Sequence, residues 1–337
     1  MGRIRSQYIY GRAISLALAL LISVPVAAVD LADAEDEVIK IVCTNSALAD
    51  FAINLAGNEL TDSVLVEFIM PAGACPSHFD ASPSDVAMIA SADIVISLGW
   101  EPWLADLLDA SGNEDAQTIA CIGLGEWNIP SGAADYLNAI ANGLTEHSPE
   151  WAETLSDNSD GYSAEIASAY ESYRLELEAL GLNGTKVITI EWYSIFLTGL
   201  GFDVIASYGA PEGLSTADVV EIMEKCDDPE VAIVVDNLQS TVDFGANLAA
   251  EFGKEHVILS NFPGAIPGKY SYLDNLAYNV EELINAATAF EDTKSELSEL
   301  ESKVTSLELQ RLVLASVVAV MAILFAISVV ISRRRIA

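Results

Sequence analysis

The sequence predicts an α/β fold of two lobes joined by one long helix, followed by a stalk and a membrane-spanning helix. Three observations predict it. Short apolar runs alternate with amphipathic segments from Val38 to about Ala287, the signature of parallel sheets covered by helices. One long helical stretch interrupts that alternation near its middle. Near the carboxyl end, Leu312 to Ser332 form a run of 21 residues without a charge.

In chain order, residues 1–28 read as a secretory signal peptide. Arg3, Arg5 and Arg12 make a basic start, Ala13 to Ala28 are mostly apolar, and the small pair Ala27-Ala28 precedes Asp30. The next cysteine is Cys43, so the pattern of a bacterial lipid-anchoring cysteine is absent.

An amino-terminal α/β lobe is expected over 38–160. Val38–Cys43, Val64–Ile69, Ile94–Leu98 and Thr118–Ile122 read as buried strands, and Ser46–Ala56 and Ser84–Ala90 as helices. Pro83-Ser84-Asp85 is a helix start, with Ser82 or Ser84 as cap and Asp85 at the positive helix end. A linking helix is predicted over 161–181, where Ile166, Tyr170, Tyr173 and Leu177 recur near helical spacing until Gly181. The second lobe is expected over 186–287. Its strands are Lys186–Ile190, Asp203–Ser207, Val231–Val235 and His256–Leu259; its helices are Thr216–Lys225, Val242–Phe252 and Leu273–Ala289.

A helical stalk follows at 288–311: Phe290, Leu297 and Val304 are seven apart, as are Leu300 and Leu307. About two heptads fit a stalk better than a strong oligomer. The uncharged run 312–332 is long enough, at about 1.5 Å per residue, to cross a hydrocarbon core of about 30 Å. Arg333, Arg334 and Arg335 in the tail 333–337 place that end in the cytoplasm and the acidic domain outside. The expected arrangement is a single-pass membrane protein with its folded domain outside the cell. A carboxyl-terminal helix and an acidic surface point to an archaeal or similar envelope.

Charge narrows the function. The chain carries 50 acidic residues against 15 basic ones. Seven of the basic residues lie outside the span from Asp30 to Glu308, which leaves eight within it. Such a surface repels phosphate backbones, so nucleic acid is excluded as a partner, and it attracts cations. Life in high salt accounts for the same composition, and the two readings are compatible. Four cysteines, Cys43, Cys75, Cys121 and Cys226, are too few for a disulfide scaffold.

Several segments together resemble the metal-binding solute receptors of ABC importers for zinc and manganese, the group with a rigid helix between two lobes. Ile41-Val42-Cys43-Thr44-Asn45-Ser46-Ala47-Leu48-Ala49-Asp50 is similar to the family's opening strand and helix. Pro71 to Asp85, containing Cys75-Pro76-Ser77-His78-Phe79-Asp80, is similar to its first ligand loop. Ala92-Asp93-Ile94-Val95 and Gly99-Trp100-Glu101-Pro102-Trp103-Leu104 resemble the following strand and turn. The resemblance covers roughly Val38 to Ala287. It implies two Rossmann-like lobes in the helical-backbone periplasmic-binding-protein fold, a divalent metal ion as cargo (zinc or manganese), and an ABC permease in the same membrane as partner.

It also implies a ligand set, from which this chain departs. The family binds its ion with four side chains, commonly three His and a carboxylate; this chain has three His in all. His78 is the counterpart of the first His, one residue later than the family's Asp-Pro-His order. Where a second His should precede a Trp, the chain has Gly125-Glu126-Trp127, so Glu126 is the replacement nearby. Glu191, in Thr189-Ile190-Glu191-Trp192, holds the third position, as Glu does in manganese-type members. Asn261 stands where a carboxylate should follow the last strand.

The residues carry chemistry of their own. Cys75 and His78 can offer sulfur and nitrogen to zinc at about 2.3 and 2.0 Å. Alternatively Cys75 pairs with Cys43 in a disulfide, which leaves a nitrogen–oxygen site better suited to manganese or iron, or it is a free thiol. Glu191 follows a buried strand, where an unpaired carboxylate would need a cation or a donor. Asp80 is a ligand or shapes the turn before Ser82. Asp236 and Asn237 end a strand where open α/β sheets place ligand sites, and are expected to line the cleft. Trp192, with Trp100, Trp103 and Trp127, is expected to pack there.

The leading reading is therefore an extracytoplasmic receptor, not an enzyme, that hands a divalent cation to a permease. No Gly-x-Ser-x-Gly elbow, phosphate-binding Walker loop or His-Glu-x-x-His motif occurs. A receptor for an organic ligand or metal chelate on the same fold, and a surface adhesin without transport, are the competing readings.

Overall fold

The structure, a computed structural model, describes residues 38–240 and 242–336, with side chains described through 332. The predicted signal segment lies outside the described residues. The two lobes repeat one plan. In the first, β1 (Ile39–Cys43), β2 (Val64–Phe68), β3 (Ile94–Ser97) and β4 (Gln117–Ala120) form a parallel sheet in the order β2-β1-β3-β4. In the second, β5 (Lys186–Ile190), β6 (Asp203–Tyr208), β7 (Val231–Asn237) and β8 (Glu255–Leu259) form a parallel sheet in the order β6-β5-β7-β8. The central strands are the most apolar because both their faces are covered; every residue of β3 and of β7 is buried.

Helices α1 (Ser46–Ala56), α2 (Pro83–Ala90), α3 (Leu104–Ser111) and α4 (Pro130–His147) belong to the first lobe. Asn45 caps α1, its side chain accepting from the Ala47 and Leu48 N–H groups. At α2 the cap is Ser82, tied through its N–H and hydroxyl to Asp85. No helix was expected over α3, and at α4 the resemblance implied only a helix starting near Trp127, where α4 begins at Pro130. Buried Tyr136, Leu137, Ile140 and Leu144 give α4 its apolar stripe, but Gly132 and Gly143 within it read as breakers.

Helix α5 spans Ala152–Ala179, 28 residues or about 42 Å, and starts nine residues before the predicted 161. Its first turns are polar on the outside and bury Leu155 and Ser159, a weak pattern by sequence. The stripe continues through Tyr162, Ile166, Tyr170 and Leu177, while Leu175 and Leu180 are exposed. This face packs on α1 and α4 of the first lobe and on α6 (Ser194–Leu200) and α9 (Tyr272–Ile336) of the second. Helices α7 (Thr216–Cys226) and α8 (Asp243–Phe252) complete the second lobe.

One continuous helix, α9, carries the chain from the second lobe through the predicted stalk and apolar run. Its first turns bury Leu276, Val280 and Leu283, and its last third is long and apolar enough to cross a membrane.

Candidate functional site

In each sheet the strand order reverses between the two central strands, β1/β3 and β5/β7. Loops leave such a point in opposite directions, opening a crevice at the carboxyl ends of the strands. The two crevices face one another across a cavity of about 780 Å³. The first lobe supplies Cys75 and His78 from the β2–α2 loop, together with Trp100 and Trp127. The second supplies Glu191 and Trp192 after β5, Glu212 after β6, and Asn237 and Gln239 after β7. Asn261 and Phe262, after β8, complete the wall.

Of the predicted residues, Cys75, His78, Glu191, Trp192, Asn237 and Asn261 line this cavity. His78 points its Nε2 toward Glu212 Oε1 at 3.7 Å, and both side chains are more than half exposed, at 65% and 52%. Glu191 is exposed rather than buried, which corrects the expectation of a costly buried carboxylate. It lies against Gly209, where an added Cβ would stand 3.7 Å from its Oε1.

Cys75 is a free, half-buried thiol and Cys43 is free and buried, so the Cys43–Cys75 disulfide is not formed. Cys43 ends β1 among the apolar side chains of the core. Burial pushes the Cys43 thiol up, and raises Cys121 to about 12, so neither is a ready thiolate.

Three predicted residues serve elsewhere. Glu126 folds back on its own loop and accepts the Leu124 N–H. Asp80 is exposed and does not line the cavity. Asp236 is fully buried inside the second lobe, accepting from Tyr208 Oη at 2.7 Å and facing His256 Nε2 at 2.9 Å. It was expected in the cleft because β7 was read as ending at Val235. The strand runs two residues further, and alternation turns Asp236 into the lobe and leaves Asn237 at the crevice.

Asn261 is held rather than free. Its Oδ1 accepts from Asn128 Nδ2 at 3.1 Å and its N–H donates to Gln239 Oε1 at 3.1 Å. The first of these belongs to a set of hydrogen bonds that stitch the lobes together below the cavity. Ser46 Oγ donates to Pro263 O at 2.7 Å, Gln239 Nε2 to Ala72 O at 2.8 Å, and Tyr272 Oη to Trp127 O at 2.6 Å. Trp127 stacks on Phe262 with ring centroids 6.2 Å apart. Gly125, at φ +94°, is required where the first lobe's backbone meets the Trp192 carbonyl, since any Cβ there would collide with it. The cleft floor is thus tied together across the lobes, and His78 and Glu212 stand exposed at its mouth.

Among the described residues no three His, Cys, Asp or Glu side chains gather around one point. The walls are aromatic, and the Trp192 Nε1 donor is buried without a partner. Glu101 behind the wall is satisfied by Thr44 Oγ1 at 2.6 Å and the Leu98 N–H at 2.9 Å.

Sequence reasoning missed Glu212 and Gln239. Glu212 follows a predicted strand in the turn Pro211-Glu212-Gly213, so the strand-end rule that singled out Asp236 would have found it. Gln239 carried no signal, because an amide between strand and helix is ordinary loop composition.

A family model described as zinc-uptake complex component A, periplasmic (ZnuA) matches residues 41–286. The manganese-binding lipoprotein MntA of Halalkalibacterium halodurans is 27% identical over 293 residues, covering 79% of this chain and 94% of that protein. The iron-binding protein YfeA of Yersinia pestis is 25% identical over 169 residues, covering 45% of this chain and 53% of that one. A crystal structure of ZnuA has the same fold, with a TM-score of 0.62 at 18% identity over 74% of this chain and 100% of that chain. The manganese-bound periplasmic metal binding protein from Candidatus Liberibacter asiaticus matches with a TM-score of 0.61 at 16% identity, over 74% of this chain and 99% of that one.

Proposed function

The chain belongs to the ZnuA-type family of metal-binding solute-binding proteins of ABC importers, which are receptors and not enzymes, and from that premise we propose that it captures a zinc- or manganese-class divalent ion between its lobes and delivers it to an ABC permease in the same membrane. The observation that carries this reading is the meeting of His78, Cys75 and Glu191 on one cavity at the carboxyl ends of both sheets. These are nitrogen, sulfur and oxygen donors of the kinds that borderline divalent ions take. The surrounding negative charge draws cations toward them.

The domain order follows the sequence: signal peptide, two lobes about a linking helix, helical stalk, single membrane span and cytoplasmic tail. The stalk exposes Leu297, Leu300, Val304 and Leu307, and α9 holds the receptor outside the membrane beside its permease, in an archaeal-type envelope. Participation of Cys75 would favour zinc. A site of His78 and carboxylates alone would favour manganese or iron(II).

Metal-dependent stabilisation of the detergent-solubilised, chelator-stripped chain tests the proposal. A cognate ion at about 100 times its Kd adds about 2.7 kcal/mol to stability, read as a rise in Tm. Equal small shifts with zinc, manganese, magnesium and calcium would reduce the effect to screening of the acidic surface.

A second reading has its own support. A water occupies about 30 Å³ in the liquid, so a cavity of about 780 Å³ walled by Trp100, Trp127, Trp192 and Phe262 has room for a metal chelate or organic ligand. Binding that survives strong chelators would select this reading.

A further inference from the structure

The structure assigns to Glu212 the place of a metal ligand opposite His78. The assignment rests on the cation-receptor reading and names a residue that the family resemblance does not supply.

The argument is first one of elimination. Four donors were expected, and two of the expected four are otherwise engaged. Glu126 is bonded to the Leu124 N–H in its own loop, and the Asn261 amide oxygen is taken by Asn128 in the floor that ties the lobes together. An amide is also a weaker partner for a divalent cation than the carboxylate it replaces. The second lobe therefore needs another anionic donor besides Glu191.

Glu212 has the position for it. It lines the same cavity as Cys75, His78 and Glu191. It stands in the short turn Pro211–Gly213 immediately after β6, and the Glu191 carboxylate lies against Gly209 of that same segment. Both carboxylates are thus presented from one edge of the second lobe.

The distance is the second argument. His78 Nε2 and Glu212 Oε1 are 3.7 Å apart, beyond a direct hydrogen bond. Two donors each about 2.0–2.2 Å from a zinc ion at a tetrahedral angle stand about 3.4 Å apart. An approach of a few tenths of an ångström would put one ion in contact with both. As an exposed ion pair the same contact would contribute little to stability, so metal affinity is the property that separates the two roles. With an ion between them, His78 and Glu212 become the clasp joining the mouth of the cleft, and Cys75 and Glu191 line the same cavity.

The test uses the full chain in detergent, stripped with chelator. Zinc and manganese Kd values are measured by chelator competition for the wild type, His78→Ala, Glu212→Gln and Glu212→Asp. Loss of a partner one step removed from a metal already costs about 10–100-fold in affinity. Glu212→Gln is expected to lose about 100-fold or more, with the Tm of the metal-free protein unchanged. Glu212→Asp is expected to retain most of the affinity, and the cobalt(II) visible spectrum should differ between the wild type and Glu212→Gln. Wild-type affinity in Glu212→Gln, together with loss in His78→Ala, would overturn the role of Glu212 and leave the receptor reading standing. Absence of tight binding in the wild type itself would overturn both.

Discussion

Asp50→Asn should make the fold insensitive to one proton that the native protein feels. Asp50 lies on α1 where the first lobe meets the linking helix and the start of α9. Its carboxylate accepts from Tyr162 Oη at 2.7 Å and Asn54 Nδ2 at 3.2 Å. Burial raises its pKa from 3.8 to about 6, with the Asp274 charge adding to the rise and the hydrogen bonds from Tyr162, Tyr272 and Asn54 opposing it. The folded form therefore holds a proton that the unfolded chain has released. Its contribution is fully present below the unfolded value and is lost as pH rises through about 6. A shift of about two units corresponds to roughly 3 kcal/mol. Urea melts of the solubilised wild type and Asp50→Asn at pH values spanning about 4 to 7 would measure it. The variant, neutral throughout, should gain on the wild type by up to roughly 3 kcal/mol across that window. Other carboxylates titrate in both proteins and cancel in the difference. A wild-type-minus-variant difference that stays constant with pH would refute the reasoning.

Other consequences are as direct. Alkylation of the native protein should modify Cys75 well before buried Cys43 and Cys121, and saturating zinc should protect Cys75 if its sulfur is a ligand; mass measurement of digests reads both. Tyr208→Phe removes a donor from buried Asp236 and should cost about 1.5–3 kcal/mol, seen as a lower denaturation midpoint; an unchanged midpoint would mean that His256 alone satisfies the carboxylate. Gly125→Ala places a Cβ against the Trp192 carbonyl in a left-handed backbone position and should cost about 1–3 kcal/mol while weakening cargo affinity. Stability should rise from low to molar KCl as the repulsion among 50 acidic residues is screened, and indifference to salt would contradict the high-salt reading of the surface.

The sheets were legible because their strands are continuous β-branched and aliphatic runs, such as Ile94–Ser97 and Val231–Val235, closed by Gly, Asp or Asn. The body of helix α4 was not, since Gly132 and Gly143 sit where neighbouring backbone and Ile119 approach closely; the packing that demands glycine there is invisible in one dimension. The ligand loop was legible from Cys75 and His78. What each polar residue faces was not. A strand end two residues later than expected turned Asp236 inward, and Asn261 is committed by Asn128, more than a hundred positions away in the chain. Glu212 was within reach of the strand-end rule, since it follows β6, but its pairing with His78 from the other lobe is recorded by no local pattern.

Stoichiometric metal binding is the most direct test of the central claim. The chelator-stripped, solubilised chain would be titrated calorimetrically with zinc, manganese and iron(II), alongside His78→Ala and Glu191→Ala. The account predicts one tight site per chain that prefers one ion and is lost in both variants. Only weak binding at many sites, the same in all three proteins, would contradict it and leave the aromatic cavity to an organic ligand.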